Sequence, residues 1–257
     1  MTSAARPSLY AMAALALVLL GARSARAAWS MPQSNGANGT NSTALTVTMT
    51  VTAGNLLIGV GSTTGGTDAG VTDTVNGAVA WQTGNDCVLT GTTRHTRIFW
   101  FINTAGGSTT ISYHPNAGTA SPTTFSVGEY TNTGVSGAAL DVQATCATNA
   151  SSSTPSATTA AVAASGELII GSVATSAAVT ISVGASYTIA DTARPAGAGL
   201  NRGAMEFNLA GTSGAQTVNW TTSVATGWAA GAAAFKIVSG GAAIVSTTTR
   251  TRKGVGP

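Results

Sequence analysis

Glu129 and Glu206 stand inside two strand-like runs, TTFSVGEY (123–130) and AMEFNL (204–209). Cleaving a glycosidic bond takes two carboxyls flanking it, one protonated and one ionised, about 5–9 Å apart. On one concave sheet face these two glutamates would form such a pair. Alternation points to a structural role instead. Glu206 lies between Met205 and Phe207 and so turns away from their apolar face, onto the outer side of its strand. Glu129 shares the parity of Phe125 and Val127, as a part-buried group with a partner such as Arg97.

Asp68, Asp73 and Asp86 fall in or near the loops around Thr72–Trp81 and are the candidates for a structural calcium, which takes six to eight oxygens. Asp73, just ahead of Asn76-Gly77, is equally accounted for by turn chemistry. The two histidines, His95 and His114, read as loop residues too few for a zinc site of their own. The chain has no G-x-S-x-G elbow and no glycine-rich phosphate loop leading into a helix. Flat aromatics beside hydrogen-bonding groups are the remaining chemistry, since they stack on sugar rings. Trp81 near Gln82 and Asn85, Tyr130 near Asn132, and Trp228 near a loop are the candidates; Trp100, in phase with Ile98 and Ile102, belongs to the core.

These residues need a frame, and composition bounds it. Arg6, an apolar run from Ala11 to Leu20 and Ala25-Arg26-Ala27 read as an export signal, residues 1–27, cleaved before Ala28. That run is too short to span a bilayer, so no membrane span is expected. Three of the 11 basic residues lie in the signal, which leaves eight against eight acidic ones. Such a balance argues against nucleic acid as a partner. Only 7% of residues are charged, and the threonine-rich neutral surface suits a secreted, extracellular or periplasmic protein. In that setting Cys87 and Cys146, the only cysteines, read as a disulfide.

Short apolar runs bounded by Gly, Asn, Asp or Pro recur along the chain, and no long window keeps a helical period. The alanine-rich stretch from Trp228 to Phe235 is read as a final buried strand rather than a helix. GNLLIGV (54–60) and GELIIGS (166–172) nearly repeat one another, and the correspondence extends on both sides. Thr46–Thr52 matches Thr158–Ala164, 98–113 matches 203–220, and 123–130 matches 228–235. The expected fold is therefore all-β: a two-layer antiparallel sandwich of jelly-roll type built from two similar halves, which bury each other's apolar faces. The expected division is a lead-in at 28–40, one sandwich domain at 41–238 with halves at about 41–148 and 157–238, and a disordered basic tail at 239–257.

GNLLIGV, VTDTVNGAVAWQT (71–83), the hairpin of 98–113, FSVGEYTNTGV (125–135) and the second GELIIG together resemble a sandwich module of secreted bacterial proteins. Such modules are mostly uncharacterised and are similar in fold to carbohydrate-binding and concanavalin-like sandwiches. The chain departs from the pattern at Asn76-Gly77, where Gly-Asn is usual, and at Tyr130-Thr131-Asn132, where Tyr-Ser-Gly is usual. The resemblance implies the sandwich and, by analogy, a polysaccharide or surface-polymer ligand. The functional expectation is a secreted binding module without catalysis and without a cofactor beyond calcium. The alternatives are a hydrolase using Glu129 and Glu206, or a structural subunit of a surface layer or filament.

Overall fold

The computed structural model describes residues 28–40, 43–65, 68, 70–77, 81–115, 122–132, 138–190 and 202–237. The expected export signal and basic tail lie outside them. The described residues form eighteen strands and no helix. In the first half run β1 (Trp29–Thr40), β2 (Leu45–Val51), β3 (Leu56–Thr64), β4 (Gly70–Asp73), β5 (Gln82–Thr83), β6 (Cys87–Val88), β7 (Arg94–Ile102), β8 (Gly107–His114) and β9 (Pro122–Asn132). The second half holds β10 (Ala138–Gln143), β11 (Ala147–Ser152), β12 (Ser156–Val162), β13 (Glu167–Thr175), β14 (Ile181–Val183), β15 (Thr188–Ile189), β16 (Gly203–Gly211), β17 (Gly214–Thr222) and β18 (Thr226–Ile237).

The strand orders are the same in both halves. A large antiparallel sheet β1-β9-β3-β7-β5 corresponds to β10-β18-β13-β16-β15; the extra strands differ, β6 joining β7 in the first half and β11 joining β18, the equivalent of β9, in the second. A small sheet β2-β8-β4 corresponds to β12-β17-β14. In each half the chain passes back and forth between large and small sheet, which is the winding of a jelly roll. Register agrees as well: Ile58 pairs with Trp100 and Gly128, and Ile170 pairs with Phe207 and Ala233. Gly54 and Gly166, which lead the two central strands, have φ of 86° and 88°. Only glycine enters that region freely, so each turn keeps its glycine for a backbone reason.

The expected sandwich of two similar halves is present, and its two-layer unit occurs once in each half. Four layers result: small sheet, large sheet, large sheet, small sheet. Alternation along the central strands assigns the faces. Leu57 turns toward the first small sheet, in a cluster with Val47, Phe99, Ile111, Tyr113 and Phe125. Leu56, Ile58 and Val60 turn the other way, against Leu168, Ile170, Met205 and Phe207 of the second half. Ile169 and Val173 complete the third interlayer with Val218 and Trp220. A strand covered on both faces must be apolar on both, and so LLIGV and LIIGSV do not alternate. Edge-to-face rings cross the central interlayer, Trp100 on Phe235 at 5.7 Å and Tyr130 on Phe207 at 5.8 Å.

Residues 28–40, expected as a lead-in, are the edge strand β1, paired with β9 from Trp29 to Thr40. Its polar sequence hides this because an edge strand is held by its backbone hydrogen bonds to β9 and need not be apolar along its length. The Ser/Thr-rich link expected at 149–157 likewise contributes to β11 and β12. The Ala-rich stretch is strand, as expected, and its small side chains let β18 fit between two covered faces.

Candidate functional site

The structure separates the two glutamates. Glu129 lies on the face of β9 that meets the first small sheet and is 1% exposed. Its Oε1 accepts from the Thr52 backbone N–H at 2.7 Å and from Asn55 Nδ2 at 2.7 Å, and its Oε2 accepts from Gln33 Nε2 at 2.6 Å. Three donors, two from the turn before β3 and one from β1, make it a clamp on that turn. Arg97, its expected partner, pairs with Asp86 instead. Glu206 lies on the opposite side of the central interlayer, facing the second small sheet. Its expected outer position is covered by that sheet, so it is fully buried. Two packed sheets about 10 Å apart separate the faces on which the two carboxyls sit, and no glycosidic bond can lie between them.

The expected sugar-stacking residues are in the interior. Trp81 is 3% exposed and donates its indole N–H to Asp73 Oδ2 at 3.0 Å. Tyr130 is in the central interlayer, and Trp228 packs in the cluster under the second small sheet. Asn132 is half-buried, with neither amide atom hydrogen bonded. Burial follows from the duplication: both faces of each large sheet are covered, which leaves its aromatics no solvent side. Cys87 and Cys146 form the expected disulfide, which joins β6 of the first half to the segment before β11 in the second.

Asp68, Asp73 and Asp86 do not converge. Asp73 Oδ1 accepts from the N–H and the side chain of Asn76, which is the turn chemistry expected of it. Asp68 and Asp86 meet around His95 instead. His95 is not a loop residue but part of β7, 2% exposed. Its Nδ1 is 2.8 Å from Asp86 Oδ1; its Nε2 is 3.2 Å from the Gly65 carbonyl and 3.7 Å from Asp68 Oδ1. Arg97, two residues along the same face of β7, holds Asp86 Oδ2 at 3.1 Å. Tyr113 donates to Asp68 Oδ1 at 2.5 Å. One donor atom each from Asp68, Asp86 and His95 lies within 4.8 Å of the others.

Electrostatics in the cluster follow from burial set against pairing. Burial pushes Asp68 up, beyond what His95 and Tyr113 pull back. Burial also works against Asp86, but the hydrogen bond and charge of His95, with Arg97, hold it below the usual carboxylate range. For His95, burial is outweighed by Asp86 and Asp68, so the ring titrates above its ordinary value. Burial, with Asp68 beside it, raises Tyr113 well above the usual phenol. The sequence signal for this cluster was the i, i+2 spacing of His95 and Arg97; their partners come from loops that period-2 reading cannot place.

A second feature was not foreseen. The hairpin β16–β17 and the turn before β15 bound an open depression of about 350 Å³, lined by Ser186, Tyr187, Asn208, Gln216, Thr217 and Asn219 among others. Among the described residues its walls carry amides, hydroxyls and one half-buried tyrosine, and no charge. Ser186 has φ of 71°, and among the described residues it is the one non-glycine in the left-handed region. Beneath the groove, Glu206 Oε1 accepts the Asn219 N–H at 2.9 Å. Burial pushes the Glu206 carboxyl up to about 8, and burial with Glu206 beside it raises Tyr187 to about 12.

Comparison with protein-family models, with curated proteins and with solved structures finds no match to this chain.

Proposed function

We propose that the chain is a secreted binding module without catalysis, holding a polysaccharide or another neutral polymer of the cell surface or matrix in the groove around Tyr187. The observation that supports this is the lining itself. Uncharged amides and hydroxyls beside one aromatic side chain offer a neutral polymer both hydrogen bonds and stacking, in an open depression. Ser186 held at positive φ beside Tyr187 is consistent with a turn shaped for contact, since a strained residue persists where its surroundings demand it. The ligand face is thereby moved from Trp81, Tyr130 and Trp228, which are buried, to residues on the rim of the second half.

A glycan array probed with folded, tag-free protein, with and without calcium, tests the reading. Saturable binding to a neutral glycan is expected, with Tyr187→Ala weakening it at least tenfold in protein that circular dichroism shows to be folded. Folded wild-type protein that retains no glycan, or a Tyr187→Ala variant that binds undiminished, would overturn it. On the same panel Glu129→Gln and Glu206→Gln are expected to leave turnover at zero, as in the wild type.

A further inference from the structure

We propose that Asp68, His95 and the Gly65 carbonyl form a binding site for a divalent ion of the zinc type, with Asp86 as the carboxylate that orients the histidine. This inference is independent of the groove and of any polymer it holds.

Spacing is the first argument. A tetrahedral ion with bonds of about 2.1 Å separates its ligands by about 3.4 Å. His95 Nε2 stands 3.2 Å from the Gly65 carbonyl oxygen and 3.7 Å from Asp68 Oδ1, which brackets that distance. Orientation is the second. A metal-bound histidine gives its other ring N–H to a carboxylate, which fixes the tautomer and aims the free lone pair at the ion. Asp86 Oδ1, 2.8 Å from Nδ1, is placed for that role, and Arg97 fixes Asp86 from its other oxygen. The third argument is a missing partner. The Asp68 side chain is 0% exposed, yet its Oδ2 has no hydrogen-bond partner among the described residues. An unpaired oxygen on the carboxylate whose Oδ1 faces His95 costs free energy when buried, and a cation bound to that carboxylate would recover it. Asp68 Oδ1 already takes the Tyr113 proton, so the carboxyl is held in position without the ion.

The imidazole selects the ion. Calcium takes oxygen ligands only and wants six or more, whereas an imidazole nitrogen suits zinc or a neighbouring transition metal, with the carboxylate and the carbonyl completing its shell. The competing arrangement is a protonated His95 bridging Asp68 and Asp86, which fills the same space with a proton in place of the ion.

The test titrates zinc chloride alone into chelator-stripped, tag-free protein in a calorimeter. One saturable zinc per chain is expected. Asp68→Asn keeps an acceptor for Tyr113 and is expected to weaken zinc at least tenfold; Asp86→Asn is expected to weaken it about 10- to 100-fold, as loss of an orienting carboxylate does. His114→Gln is the control, because His114 bonds Thr72 outside the cluster, and its affinity should not change. X-ray absorption at the zinc edge of the wild type, which needs no variant to fold, should show one nitrogen with the remaining ligands oxygen. The proposal is overturned by absence of saturable zinc, by an Asp68→Asn variant of wild-type affinity, or by loss of binding in His114→Gln.

Discussion

Glu206 occupies the position that Phe99 holds in the first half: Phe99 pairs with Gly59 and Glu206 with Gly171, the same place in the two central strands. A carboxyl thus replaces an aromatic ring in an apolar layer. One oxygen takes the Asn219 N–H and the other has no partner. With its folded value near 8 and the unfolded value at 4.5, Glu206 is protonated in the folded chain at neutral pH. Because the folded state holds the proton more tightly, its contribution to stability is whole below about pH 4.5. It declines as pH rises through 8, by on the order of 4 kcal/mol. Glu206→Gln keeps the shape and removes the titration. Urea midpoints at pH 5, 7 and 9 should therefore converge with the wild type at pH 5, and the variant should be the more stable at pH 9. An unchanged difference across the three pH values would count against a buried neutral acid. Glu129 is held differently, by three donors. Glu129→Ala leaves those donors unpaired in the interior and should cost about 3 kcal/mol in denaturant unfolding, with no effect on glycan binding.

Strands β3 and β13 carry the packing, and each has a glycine where the next layer comes closest. A Cβ at Gly171 would stand 2.9 Å from Glu206 Cγ, from Trp220 Cζ2 and from Val218 Cβ, with three side chains of two strands, β16 and β17, in the way at once. Gly171→Ala should cost about 1–3 kcal/mol, the usual penalty of overpacking, and thermal unfolding measures it. The same strands explain what the sequence disclosed. LLIGV and LIIGSV are apolar on both faces, so their central place could be read from residue type alone, and so could the tandem repeat that contains them. β1 could not, because an edge strand is defined by its partner β9 and not by its own side chains. The site shared that difficulty. His95 and Arg97 alternate visibly on β7, but Asp68 and Asp86 reach them from turns, and no periodicity in a chain reports which loops meet. The aromatics misled for a related reason: a tryptophan at a strand end looks exposed until a second sheet is known to cover it.

Four stacked sheets make the two halves depend on one another. Leu56, Ile58, Val60, Trp100 and Tyr130 would face water if the second half were taken away. Arg94, buried in the first half, reaches across to the Thr175 carbonyl at 2.9 Å. The disulfide fastens the same interface from its edge, Cys87 and Cys146 meeting beside Leu89 and Ala229. With the two positions 59 apart in sequence, the cross-link removes loop entropy from the unfolded chain worth about 4 kcal/mol. The Cys87→Ser, Cys146→Ser double variant should therefore lose about that much stability and still unfold in one transition, because the central interlayer and not the bridge couples the halves. Calorimetry decides it. If the variant melts in two separated steps, one for each jelly roll, the disulfide is what makes the molecule one unit, and the shared apolar face is too weak to do so alone. A single step at lower temperature would mean that duplication created a core neither copy can do without.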